Sequence, residues 1–105
     1  NNIPLLGICR GMQIIMQNER SKLIKIKNHV GKKHKLQGKN IFVNSYHNYA
    51  IKNCPKNYII TSRSIDNSIE SVRHKEYKIE GWMWHPEREN KFKNFDLNNF
   101  KNFFK

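Results

Sequence analysis

The sequence predicts an α/β fold, and three observations predict it. An almost wholly apolar run, Ile3 to Ile8, ends in the glycine-flanked turn Gly7-Ile8-Cys9-Arg10-Gly11 and continues into Met12-Gln13-Ile14-Ile15-Met16. A second run, Lys78-Ile79-Glu80-Gly81-Trp82-Met83-Trp84, leads straight into His85-Pro86-Glu87. Between and after them lie two β-rich segments and a phenylalanine-rich tail of roughly helical spacing. Strands and helices of this kind are built into layers around one sheet.

The first element is a strand over Ile3–Ile8, with the continuous apolar character of a strand covered on both faces of a parallel sheet. A sharp turn follows at Cys9, and a helix runs from near Gly11 to about Asn18. Gly7 and Gly11 flank the cysteine and let strand and helix approach closely. The thiol stands at the carboxyl end of a strand and the positive end of a helix, where the dipole and free N–H groups favour thiolate. This is the shape of a nucleophile elbow with Cys in place of Ser. Taken alone, the pattern fits a buried structural cysteine equally well.

Asn18-Glu19-Arg20-Ser21 breaks the helical pattern, and Leu23, Ile24 and Ile26 suggest a short strand. His29 and His34 fall in a lysine-rich stretch that reads as a solvated loop, because no Cys or acidic residue accompanies them as metal ligands. Asn40 to Ser45 is a strand entering a turn at Tyr46-His47-Asn48-Tyr49. Clustered Ser, Tyr and His after a strand end suit a pocket rim, or a capped turn with an aromatic anchor. Cys54-Pro55-Lys56-Asn57 is a turn, with Cys54 structural or at the surface. Tyr58–Ser64 and Ile69–Arg73 form an antiparallel hairpin around Ile65-Asp66-Asn67-Ser68. Glu70 is either a surface glutamate of that hairpin or a support for the site.

The Lys78–Trp84 strand delivers His85 at its end. Pro86 bars a helix and keeps the preceding residue extended, so His85 and Glu87 project to the same side. Phe95, Leu97, Phe100, Phe103 and Phe104 then mark a terminal amphipathic helix, with Asp96 as N-cap.

The 105 residues carry 20 Lys and Arg against 8 Asp and Glu, a formal charge of +12. The basic residues are dispersed apart from Lys32-Lys33-His34-Lys35, and no zinc-finger or RNA-binding motif accompanies them, so a solvated basic surface is expected and no nucleic-acid partner. No apolar run approaches the ~18–20 residues that span a bilayer, so no membrane partner is expected. Two cysteines, one with another use, fit a reducing, cytoplasmic setting. Cys9, His85 and Glu87 supply a nucleophile, a base and an orienting carboxylate, the parts of a thiol-based acyl-transfer site. Such chemistry needs no metal and no organic cofactor.

Gly7-Ile8-Cys9-Arg10-Gly11-Met12-Gln13, Val43-Asn44-Ser45-Tyr46-His47, Ile69-Glu70 and Trp84-His85-Pro86-Glu87, in this order, resemble the class I glutamine amidotransferases. The resemblance runs from Ile3 to about Phe104. It is strongest to the γ-glutamyl hydrolase branch, which includes γ-glutamyl-γ-aminobutyrate hydrolases and the γ-glutamyl-CDP-amidate hydrolases of capsule phosphoramidate synthesis. It implies a three-layer, flavodoxin-like α/β domain with a mostly parallel central sheet. Residues 1–105 would be its C-terminal part, the N-terminal strands and an oxyanion loop lying outside them, so the chain alone is expected to be neither stable nor active.

The resemblance further implies a catalytic set of Cys9, His85 and Glu87, with the backbone N–H of Arg10 as one oxyanion donor. Gln13, Ser45, Tyr46 and His47 would bind the γ-glutamyl group. Glu70 matches a frequently acidic position, and His29 lies on a loop that passes the pocket. Asn48 and Tyr49 stand where many relatives carry His and Gln. The implied reaction is hydrolysis of a small-molecule γ-glutamyl amide through a glutamyl-thioester, with γ-glutamyl-CDP-amidate the first substrate to test and γ-glutamyl-γ-aminobutyrate the second. Different classes remain open: a glutaminase subunit feeding ammonia to a synthase, and an inactive fragment or basic binding module. Neither a homodimer nor a synthase partner is selected by the sequence.

Overall fold

Parallel and antiparallel pairing meet in one four-stranded sheet of order β1-β8-β7-β6. The computed structural model describes residues 3–26, 30–88 and 93–104; His29 lies outside them. In chain order the elements are β1 (Leu5–Ile8), α1 (Arg10–Asn18), β2 (Leu23–Lys25), β3 (Val30–Lys35), β4 (Phe42–Tyr46), β5 (Tyr49–Ile51), β6 (Tyr58–Arg63), β7 (Ile69–His74), β8 (Ile79–Trp82), a 3-10 turn (Pro86–Arg88) and α2 (Asn94–Phe103). Strand β1 runs parallel to β8, with Gly7 beside Gly81 and Ile8 beside Trp82. Strands β6, β7 and β8 are antiparallel neighbours.

The described sheet is therefore mixed rather than mostly parallel. Short turns join β6 to β7 and β7 to β8, and short connections permit only antiparallel pairing. Two separate ribbons complete the β structure, β3 with β4 and β2 with β5.

The two faces of the sheet carry different cores. Met12 and Met16 of α1 pack with Ile51, Tyr58, Ile69, Val72 and Met83. Leu36, Val43, Trp82 and Trp84 form the other cluster, which Phe95 and Phe100 of the α2 segment join. Neighbouring Trp82 and Met83 belong to opposite clusters, as side chains of an extended segment must. Burial of β1 is incomplete: Ile3 is 73% and Leu5 49% exposed. Its apolar run has a single hydrogen-bonded neighbour, β8, among the described residues.

Several local expectations are corrected. The lysine-rich stretch at 30–35 is strand β3, paired with β4 so that Lys33 faces Asn44 and His34 faces Val43. Ladder pairing, not side-chain preference, makes this strand, and lysines suit an uncovered edge. Tyr49 begins strand β5 rather than closing a turn. Pro86 opens a 3-10 turn instead of holding an extended segment, since its fixed φ suits a first helical position. Asp96 is not the N-cap of α2, which is Lys93; Asp96 sits inside the first turn, buried, and accepts a 2.8 Å hydrogen bond from Trp84 Nε1. No helix among the described residues is long and apolar enough to cross a membrane.

Candidate active site

Cys9 occupies a backbone conformation that L-residues avoid, φ 53° and ψ −103°. The cost of such a residue is of order 1–3 kcal/mol, tolerated only where the surroundings over-determine it. Here they do. The Cys9 N–H donates to Trp82 O at 2.6 Å, which ties the turn to β8, and Cys9 O accepts the Gln13 N–H at 3.0 Å, which starts α1. A side chain on Gly7 would lie 2.8 Å from backbone atoms of Gly11 and Met12, so only glycine lets β1 pass this close to the helix. Gly11 is different: a Cβ there would meet nothing within 4 Å. The two glycines flanking the cysteine thus do unequal jobs, and close approach requires Gly7 alone.

His85 arrives from the neighbouring strand. Because β1 and β8 are parallel and Ile8 lies beside Trp82, the elbow and the His85 segment leave the sheet at the same edge. His85 Nδ1 lies 2.5 Å from Glu87 Oε2, so the N–H on Nδ1 donates to the carboxylate and Nε2 remains for proton transfer. The 3-10 turn makes this contact, with the Arg88 N–H donating to His85 O at 3.1 Å. His85 is also gripped through its backbone by Asn44. Asn44 Nδ2 donates to His85 O and Asn44 Oδ1 accepts the His85 N–H, both at 2.7 Å.

Burial pushes the Cys9 thiol above its ordinary value, against the expectation that the helix end would favour thiolate. The Arg10 N–H, bonded to the sulfur, and the charge of Arg88 pull it down, while Glu87 and Glu70 push it up. Desolvation is the largest of these influences, and it favours the protonated thiol. Glu70 is not a surface residue: it is fully buried, and burial together with Asp66 pushes its carboxyl up to about 8.

The remaining expected residues lie in α1 and along β4 and the turn into β5. Ser45 is fully buried in β4. Tyr46 is half-exposed, and its ring meets that of His85 edge-on at 6.0 Å. His47 is buried, with Nδ1 2.9 Å from Tyr49 O. The same carbonyl accepts Gln13 Nε2 at 3.2 Å, while Gln13 Oε1 accepts Arg10 Nη1 at 3.3 Å. Gln13 therefore ties α1 to the strand after the pocket turn, and both ends of its amide are engaged within the chain. Asn44 and Arg88 had no role in the sequence reading. An Asn inside a strand is disfavoured unless its side chain has a partner, which was the available signal. A cleft of 260 Å³ lies elsewhere, among Thr61, Ser71, Trp82 and Phe95, and no thiol or imidazole lines it.

The sequence family model for "Glutamine amidotransferase class-I" matches residues 1–105. The chain belongs to the class I glutamine amidotransferase family. It is 42% identical over 96 residues to a γ-glutamyl-CDP-amidate hydrolase of Campylobacter jejuni, a match covering 90% of this chain and 48% of that protein. It is 33% identical to an anthranilate synthase component 2 of Thermococcus kodakarensis, over 81% of this chain and 50% of the relative. The crystal structure of a GMP synthase subunit from Thermoplasma acidophilum superposes with a TM-score of 0.83 at 27% identity, covering 98% of this chain and 56% of that one. The chain spans about half the length of the curated relatives it matches.

Proposed function

We propose that this chain carries the nucleophile and base of a γ-glutamyl amide hydrolase. The observation that supports this best is the convergence of two parallel strand ends, one bearing the Cys9 elbow and the other the hydrogen-bonded His85–Glu87 pair. Cys9 Sγ attacks the γ-carbonyl carbon as its proton passes to His85 Nε2. The oxyanion is met by the Arg10 N–H, a donor of the kind worth a few kcal/mol at the transition state. Collapse breaks the C–N bond, His85 returns the proton to the departing nitrogen, and a glutamyl-thioester remains. Water, deprotonated by His85, releases glutamate and restores the thiol. Glu87 holds the imidazole in place, and Ser45, Tyr46 and His47 line the γ-glutamyl pocket, with Gln13 bracing it.

The substrate we favour is γ-glutamyl-CDP-amidate, on the strength of the 42% identical relative of that name, with a role in capsule phosphoramidate synthesis and a cytoplasmic setting. The test is glutamate release from γ-glutamyl-CDP-amidate and from γ-glutamyl-γ-aminobutyrate, with the Cys9→Ala protein as control. Release without any acceptor, lost in the control, is the expected result. A second reading is a glutaminase subunit, supported by the likeness to proteins named as synthase components and subunits. Glutamine hydrolysis that rises only when a synthase is added would favour it.

A further inference from the structure

Arg88 is left over once the nucleophile, base and pocket wall have been accounted for. It ends the 3-10 turn that carries Glu87 and is exposed, where His85 is half-buried. Its guanidinium carbon sits 4.5 Å from the centre of the Tyr46 ring, and that ring in turn meets His85 edge-on. A guanidinium stacked on an aromatic ring uses its flat face for the contact and keeps its N–H edges in the plane, ready for a two-pronged grip on an oxyanion. The other guanidinium near the elbow, Arg10, is engaged by Gln13. Among the described residues His85 pairs with Glu87, and Arg88 stands exposed beside that pair.

The position selects a side of the substrate. Resting on the hydrolase reading above, His85 must lie beside the departing nitrogen, because it returns the proton there. Arg88 neighbours His85 through Tyr46 and is exposed, whereas Ser45 and His47 are buried. We propose that Arg88, stacked on Tyr46, holds an anionic group of the leaving portion, so that the site selects γ-glutamyl amides whose amine product carries a phosphate or carboxylate. Its charge also reaches the thiol, where it favours the thiolate.

Two measurements on the intact protein test this separately. In the first, Cys9 is alkylated with iodoacetate and with iodoacetamide, which share a leaving group and differ by one negative charge. Arg88→Met should lower the iodoacetate-to-iodoacetamide rate ratio by about fivefold, the scale of one partly screened charge contact. In the second, kcat/KM is compared for γ-glutamyl amides of aminoethyl phosphate, γ-aminobutyrate and ethylamine. Arg88→Met should lower the anionic-to-neutral selectivity about tenfold, mainly through KM, and Arg88→Lys should restore part of it. A loss confined to the phosphate compound assigns a phosphate; a loss for both anionic compounds assigns the shared charge. Equal losses for all three would overturn the proposal. If the wild-type protein hydrolyses none of them and not γ-glutamyl-CDP-amidate either, the hydrolase reading fails, and an unchanged alkylation ratio would overturn the Arg88 assignment on its own.

Discussion

The edge of the main sheet and the ribbon beside it hold their residues in opposite ways. Cys9 is fixed by shape: a strained turn, a helix pressed on Gly7, and Met12 fully buried over Gly81. Ser45, Tyr46 and His47 are fixed by wiring: the Asn44 grip on His85 and the carbonyl of Tyr49 shared by Gln13 and His47. Close packing fails sharply when a methyl group is added, whereas a hydrogen-bonded wall can change its side chains as long as a few bonds survive. Substitutions should therefore be tolerated less around Cys9 than along the β3–β4 ribbon.

The largest effect should come from removing the proposed base, which both regions position. His85→Ala is expected to lower kcat by about 10³-fold or more, while Glu87→Gln, which disturbs orientation only, should retain measurable turnover. Near-normal turnover in His85→Ala would move the base to the ribbon, with His47 the next candidate.

Stability against pH probes the buried side of the sheet. The Glu70 carboxyl titrates near 8 in the fold and near 4 in the unfolded chain. The folded state thus holds a proton that the unfolded state has released, so its contribution is complete below about pH 4.5 and is lost as pH rises through 8. Across that window wild-type stability should fall relative to Glu70→Gln by on the order of 5 kcal/mol, read from urea midpoints. Parallel pH curves for the two proteins would remove Glu70 from the account.

Packing is tested by a matched pair. Gly7→Ala drives a methyl into backbone and should cost about 3 kcal/mol or more, with loss of Cys9 labelling. The methyl of Gly81→Ala meets no backbone but would lie 2.5 Å from Cγ and 3.0 Å from Cβ of buried Met12, and should cost about 2 kcal/mol. Equal costs would mean that the elbow is no tighter than its surroundings. A smaller effect than that of Gly7→Ala is expected in the wiring. Asn44→Ala should cost about 2 kcal/mol of stability and lower kcat roughly tenfold with little change in KM, by loosening His85.

The elbow and the His85 strand were legible because their signals are local: glycines around a cysteine, and an apolar run ending at His-Pro-Glu. Strand β3 was hidden because lysines mask a strand that exists through its pairing with β4. Pro86 and Asp96 were misassigned for a related reason. Each is a common helix-terminus residue, but the turn before α2 and the bond from Trp84 to Asp96 decide their places. The burial of Glu70 depends on packing around β7 that no local pattern encodes. The Asn44 contact was out of reach for another reason: a side chain that binds the backbone of a distant segment leaves no trace in that segment's residue types.

The backbone angles of Cys9 carry a consequence for how this sequence is maintained. They fall close to the first central position of a type II′ turn, a place that glycine fills without strain. Of two variants that both lack the thiol, the one with glycine at position 9 should therefore be more stable than the one with alanine by about 1 kcal/mol or more, measured as a difference in Tm. Folding alone would drive this codon towards glycine. If Cys9 is the nucleophile proposed above, selection for the reaction is what keeps a cysteine there, and drift at this site without that selection should lead to a sturdier protein lacking the thiol.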